Sequence, residues 1–173
     1  MTDLRDQPST PPPGDALFSP EDPVETLWVK SYQGEVLGEV FFAGIAEHLD
    51  DGDRAAKMRV LATLERRTRE AMVPSLERAG LSTESDPDSV SAGQALADGV
   101  ASVSWADLMA SFEPVTTRYA AMYARIGQLC PAEQATADLL VAHELALSEF
   151  GRHELTGAGQ DSLAAVVALP HMR

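Results

Sequence analysis

The feature that most restricts what this chain can fold into is the rhythm of its breaks. Four stretches of helical periodicity are separated by joints that run short, long, short. The first stretch, Val24 to Leu49, holds no proline and stops at Asp50-Asp51-Gly52-Asp53, a cluster suited to a tight turn. Ahead of it, Ser19-Pro20-Glu21-Asp22-Pro23 supplies an N-cap, prolines for a first helical turn and acids that favour a helix N-terminus. The second, RAAKMRVLATLERRTREAMVPSLERAG, is rich in strong helix formers and sets Met58, Leu61, Leu64, Thr68 and Met72 along one side before Gly80. Pro74 is expected to kink or shorten its last turns.

The third stretch starts at Ser104, with Asp107 in a capping-box-like place, and runs through Leu108, Phe112, Val115, Tyr119, Met122, Tyr123 and Ile126. A kink is expected at Pro114. The fourth restarts at Pro131 and continues to Thr156-Gly157, and a short helix is expected from Asp161. Residues 82–103 read instead as a long connection of turn-forming and small residues, with one short helical possibility at Ala95 to Val100. No period-two strand pattern and no internal repeat appears. The expectation is an all-α, up-down four-helix bundle over residues 20–157, with one long crossover between helices 2 and 3. A Pro-rich disordered leader (1–19) and a tail (158–173) complete the expected organisation.

Composition narrows the partners. The chain has 173 residues, enough for one domain with a sizeable core, and a single cysteine, Cys130, which rules out an internal disulfide. Thirteen Lys and Arg face 27 Asp and Glu, a net charge of -14 that opposes nucleic acid and acidic membrane surfaces. No apolar run approaches the roughly 20 residues of a spanning helix, and the N-terminus lacks a secretory apolar segment, so a cytoplasmic protein is expected.

The chemistry lies in acids set within apolar stripes. Around Glu144, the positions three, four and seven away are Ala137, Leu140, Val141, Leu147, Ser148 and Gly151. Glu65 has Met58, Leu61, Thr68 and Met72 in the same relation, and Glu39 has Tyr32, Val36, Phe42, Ala43 and Ala46. A buried, unpaired carboxylate costs several kcal/mol, so such groups bind metal, pair with a cation or take up a proton. His143, among Leu139, Leu140, Ala146, Leu147 and Phe150, reads as a neutral core histidine or as a base or ligand. It lies about 100° around the helix from Glu144, so the two are expected to face apart. Glu149, Arg152, His153 and Glu154 read as a solvated charged face, and Gly34, Gly38 and Gly44 as places of close helix packing.

The segments GEVLGEVFFAGIAEHL, VLATLERRTREAM and LLVAHELALSEFGRHEL resemble helices one, two and four of the ferritin-like superfamily, over about residues 24–157. That resemblance implies a di-iron centre built from a glutamate on each of two helices and Glu-x-x-His on each of the other two. Position by position it implies Glu39, Glu65 and Glu144 as metal ligands. The histidine places are occupied by Thr68 and Leu147, neither of which replaces imidazole, and Glu113 lies a turn early for the fourth carboxylate.

Two functions follow as expectations. One is an enzyme with a degenerate di-iron site, acting on a small apolar molecule within the bundle. In it Glu144, Glu65 and His143 do acid-base work, or iron or manganese supports oxygen- or peroxide-dependent oxidation. The other is a non-catalytic binding or assembly bundle whose former metal centre is filled by ion pairs from Arg69 or Arg118 or a hydrogen bond from Tyr119. A homodimer formed through a helix face is expected in either case.

Overall fold

The computed structural model describes residues 18–19, 21–157 and 161–173. The expected leader, apart from Phe18 and Ser19, lies outside them. Among the described residues the protein is all-helical, with no strand. Its α-helices are α1 (Val24–His48), α2 (Gly52–Arg78), α3 (Pro87–Val100), α4 (Trp105–Ala110), α5 (Phe112–Leu129), α6 (Gln134–Thr156) and α7 (Ala164–Ala168). Short 3-10 turns at Pro131–Glu133 and Pro170–Met172 complete the set.

The expected boundaries hold for the first, second and fourth long helices. Asp51 caps α2 by accepting from the Asp53 and Arg54 backbone N–H groups, and α6 ends on Gly157 with φ of 81°, a conformation that favours glycine. Pro74 does not shorten α2, which continues a further turn to Arg78.

Two expectations are corrected. The third stretch is two helices: α4 stops at Ala110, and α5 starts at Phe112 with Pro114 in its first turn. Having no N–H, Pro114 cannot extend the α4 ladder, but a first turn has unpaired donors anyway. The N-cap at Ser104 is present, with its Oγ accepting from the Asp107 N–H at 3.1 Å. The long connection contains α3, capped by Asp86 and opened by Pro87. Its Ala, Gly and Ser content, read as linker material, is what lets it lie against α1. A Cβ on Gly44 would come 2.7 Å from Ala97 Cβ, and one on Gly93 would come 2.6 Å from the Leu37 carbonyl oxygen.

Helix α1 packs along α2, and α5 along α6, forming two hairpins that face each other. Two apolar clusters fill the space between them. One contains Phe42, Leu61, Leu64, Phe112, Leu147 and Phe150, the other Leu27, Trp28, Met72, Tyr123, Ile126 and Leu140. Along α1 and α6 the chain passes from the second cluster to the first; along α2 and α5 it passes from the first to the second. The direction is therefore up, down, down, up. Leu61, Leu64, Leu140 and Phe150 are fully buried, each side chain stabilising the fold by about 2 kcal/mol on removal from water. Every long helix crosses a gap between the clusters; on α2 and α6 that gap holds Glu65, Thr68, His143 and Glu144, while on α1 Glu35 lies at its edge, beside Val36 of the second cluster. The site is thus a polar layer clamped between two apolar ones.

A second polar contact lies beyond the first apolar cluster, near the start of α2 and the end of α6. Lys57 on α2 reaches Glu154 at 2.9 Å and Asp53 at 2.7 Å, and the Trp105 indole N–H donates to Glu154 at 3.1 Å. The Glu154 side chain is 6% exposed, so it does not belong to the solvated face expected at the end of α6. Its apolar surroundings come from α4, whose position was not visible in the α6 pattern. No described helix is long and apolar enough to cross a membrane.

Candidate metal centre

Glu35, Glu65 and His143 are buried together, each offering a ligand atom within 4.8 Å of the others. His143 Nε2 lies 3.5 Å from Glu65 Oε1, 3.8 Å from Glu35 Oε2 and 4.0 Å from Glu144 Oε1. His143 and Glu144 thus converge, contrary to the expectation that neighbours on one helix face apart. The 100° between them is spanned by side-chain length, because α6 is covered on more than one side.

Each member is held by a particular neighbour. The Tyr123 hydroxyl donates to Glu35 Oε1 at 3.1 Å, while Glu35 Oε2 is buried without a hydrogen-bond partner. Glu65 lies where Gly38 leaves room for it: a Cβ on Gly38 would come 2.5 Å from Glu65 Oε2. Thr68 Oγ1 is 2.9 Å from His143 Nδ1, so the ring presents Nε2 to the carboxylates.

Burial decides the charge state of the free group. Desolvation pushes Glu35 up to about 7 against the opposing pull of the neighbouring Glu65 and of the Tyr123 hydroxyl. Glu65 is raised well above the usual carboxylate range by desolvation first and by the nearby Glu35 second, and Glu144 by the same two causes. His143 falls to about 3, mainly by desolvation, and is neutral at physiological pH. A neutral imidazole with its Nε2 beside three carboxyls is the form a metal ion requires.

Of the residues singled out in the sequence, Glu65 and His143 are in this group, Glu144 lies 4.0 Å from the His143 ring, and Glu39 lies beside the group. Glu39 accepts from Arg69 at 2.8 Å, with Arg66 at 3.9 Å, on a side chain 28% exposed. The α1 carboxylate facing the centre is Glu35, one turn earlier. Its signal was present in the sequence, since Trp28, Ser31, Tyr32 and Phe42 stand seven, four and three positions before it and seven after. Tyr123, rather than Tyr119, makes the hydrogen bond on α5, and the Arg69 guanidinium reaches Glu35 only through its field.

Metal bonds of about 2.1 Å to N and O place two donors about 3.4 Å apart at a tetrahedral ion and about 4.2 Å apart when opposite each other. The distances of 3.5, 3.8 and 4.0 Å from His143 Nε2 fall in that interval. One nitrogen with the two carboxylates of Glu35 and Glu65 suits a single divalent ion such as iron, manganese or zinc. The pair of ions implied by the ferritin-like resemblance does not fit, because the histidine places are Thr68 and Leu147 and Leu147 is buried in the apolar cluster.

A surface cleft of about 100 Å³ lined by Met109, Ala110, Glu113, Ser148, Arg152 and Leu155 contains none of the group. No family model, no curated protein and no solved structure matches the chain.

Proposed function

We propose that this protein is a metal-binding helical bundle in which Glu35, Glu65 and His143 hold one divalent iron or manganese ion, with the Glu144 carboxyl beside them. The observation that carries the reading is the convergence of three buried ligand groups within 4.8 Å, with Glu35 Oε2 buried and outside any hydrogen bond. Uncompensated buried carboxylates destabilise a fold, and metal coordination is one interaction that offsets the cost. The up, down, down, up direction of the long helices supports a ferritin-like ancestry with the two-ion centre reduced to one.

Such an ion would supply redox and Lewis-acid chemistry, and the activity proposed for it is oxygen- or peroxide-dependent oxidation of a small apolar molecule. The chain's own part is to orient and exclude: Tyr123 fixes Glu35, Thr68 fixes the His143 ring, and the two apolar clusters keep water out. The competing reading, a non-catalytic bundle with an ion-paired centre, draws on the Glu39–Arg69 pair at 2.8 Å.

The test is elemental analysis of protein expressed with iron and manganese supplied, beside Glu65→Gln and His143→Gln. About one ion per chain in the wild type, lost in both variants while helix content stays unchanged by circular dichroism, supports the metal centre. A folded wild type that takes up no metal after anaerobic iron reconstitution sinks it.

A further inference from the structure

The proposed ion would contact His143 through Nε2, which leaves the other ring nitrogen to be explained. Nδ1 faces Thr68 Oγ1 at 2.9 Å, and the same oxygen lies 3.0 Å from Nε2 of His171. His171 belongs to the 3-10 turn Pro170–Met172, far along the chain from Thr68. It is brought there by the C-terminal segment, whose Val166 and Leu169 are buried in the apolar cluster that also contains Leu61, Leu64 and Phe150. Its turn packs directly on α2.

A hydroxyl carries one proton, and among the described residues the two rings are the only hydrogen-bond partners of Thr68 Oγ1, so Thr68 donates to one ring and accepts from the other. The two histidines are therefore locked in opposite senses. If His143 Nδ1 carries hydrogen and donates to Thr68, the Thr68 O–H donates to a bare Nε2 on His171. If His143 Nδ1 is bare, the Thr68 O–H donates to it and the Nε2–H of His171 donates to Thr68. Only the first arrangement leaves His143 Nε2 with a free lone pair toward Glu35, Glu65 and Glu144. It also puts the His171 hydrogen on Nδ1, an atom buried without a partner. The C-terminal turn thus bears on which nitrogen of His143 is available to a metal.

We infer that His171 is a positioning residue: through Thr68 the docked C-terminal segment sets the tautomer and ring orientation of His143. This rests on the proposed metal centre for its purpose, but its geometry is open to test without metal. Partners of this kind behind a ligating histidine are worth about 10–100-fold in metal affinity.

Nitrogen-15 NMR of the histidine rings in the full-length, metal-free chain reads the tautomer directly. The wild type is expected to show His143 as one tautomer. His171→Phe, which keeps a ring and removes the hydrogen bond, and Thr68→Val should shift His143 to a mixture, while Thr68→Ser should restore the wild-type pattern. In a cobalt(II) titration followed by visible absorbance, His171→Phe should weaken binding roughly 10–100-fold. If His171→Phe leaves both His143 nitrogen shifts at their wild-type positions, the inference is overturned whatever cobalt does. If the wild type takes up no cobalt, the metal centre fails, and the ring shifts still decide the role of His171.

Discussion

Replacing Glu35 by glutamine should stabilise the metal-free protein at alkaline pH, which is the reverse of what removing a polar core contact usually does. Glu35 is 2% exposed, and burial raises its carboxyl from 4.5 to about 7. A group whose folded pKa is raised contributes stability that is fully present below 4.5 and is lost as pH rises through about 7. The gap corresponds to ~3 kcal/mol at pH 8, using about 1.4 kcal/mol per pH unit. Glutamine keeps the acceptor for the Tyr123 hydroxyl and cannot ionise, so it is spared that loss. His143, held down at about 3, contributes with the opposite sign, its stability being lost as pH falls below 6.5. It is present in both proteins and largely cancels in the comparison.

Urea unfolding of EDTA-treated protein should therefore give nearly equal stabilities near pH 4.5. At pH 8 Glu35→Gln should be the more stable by up to ~3 kcal/mol, or about 10 °C in melting temperature for a chain of this size. Added manganese(II) should reverse the order by raising the wild type alone. A Glu35→Gln protein that is less stable than wild type at both pH values without metal would refute the reasoning, because it would mean that the folded state already compensates the Glu35 charge.

Three further outcomes follow from other contacts. Gly38→Ala places a Cβ 2.5 Å from Glu65 Oε2, so it should displace that carboxylate and weaken manganese binding about tenfold or more by calorimetry, with helix content unchanged. Lys57→Met strands Glu154 and should cost ~3 kcal/mol in urea unfolding, with most of the loss recovered in Lys57→Met/Glu154→Gln. The Arg78 guanidinium beside Glu133 holds its carboxyl down at about 2, so this pair stabilises above 4.5 and the contribution is lost as pH falls through 2. Glu133→Gln should accordingly be less stable than wild type at pH 7, and the difference should shrink in acid unfolding curves below pH 4.

Helix periodicity carried most of the architecture. The stop at Asp50 to Asp53 and the Gly157 terminus were readable because turn acids and left-handed glycine have local causes. Helix α3 was not, since its Gly93 and Ala97 make sense only against α1. The acids divided in the same way. Glu65 and Glu144 have apolar neighbours on their own helices, which is a one-dimensional signal. Glu35 and Glu39 share one stripe of α1, and what separates them is Arg69, which reaches across from α2 to take Glu39. His143 was placed facing away because helical angle was counted and side-chain reach was not. His171 could not have been linked to Thr68 from sequence, because docking of the C-terminal turn depends on the packing of Val166 and Leu169.

The central claim, one ion within the acid layer, is tested most directly by crystals of metal-loaded protein measured on either side of the iron or manganese absorption edge. The account predicts a single anomalous peak about 2.1 Å from His143 Nε2 and from carboxylate oxygens of Glu35 and Glu65. No peak there in fully loaded crystals, with the three carboxyls hydrogen-bonded to one another or turned toward Arg69, would contradict it.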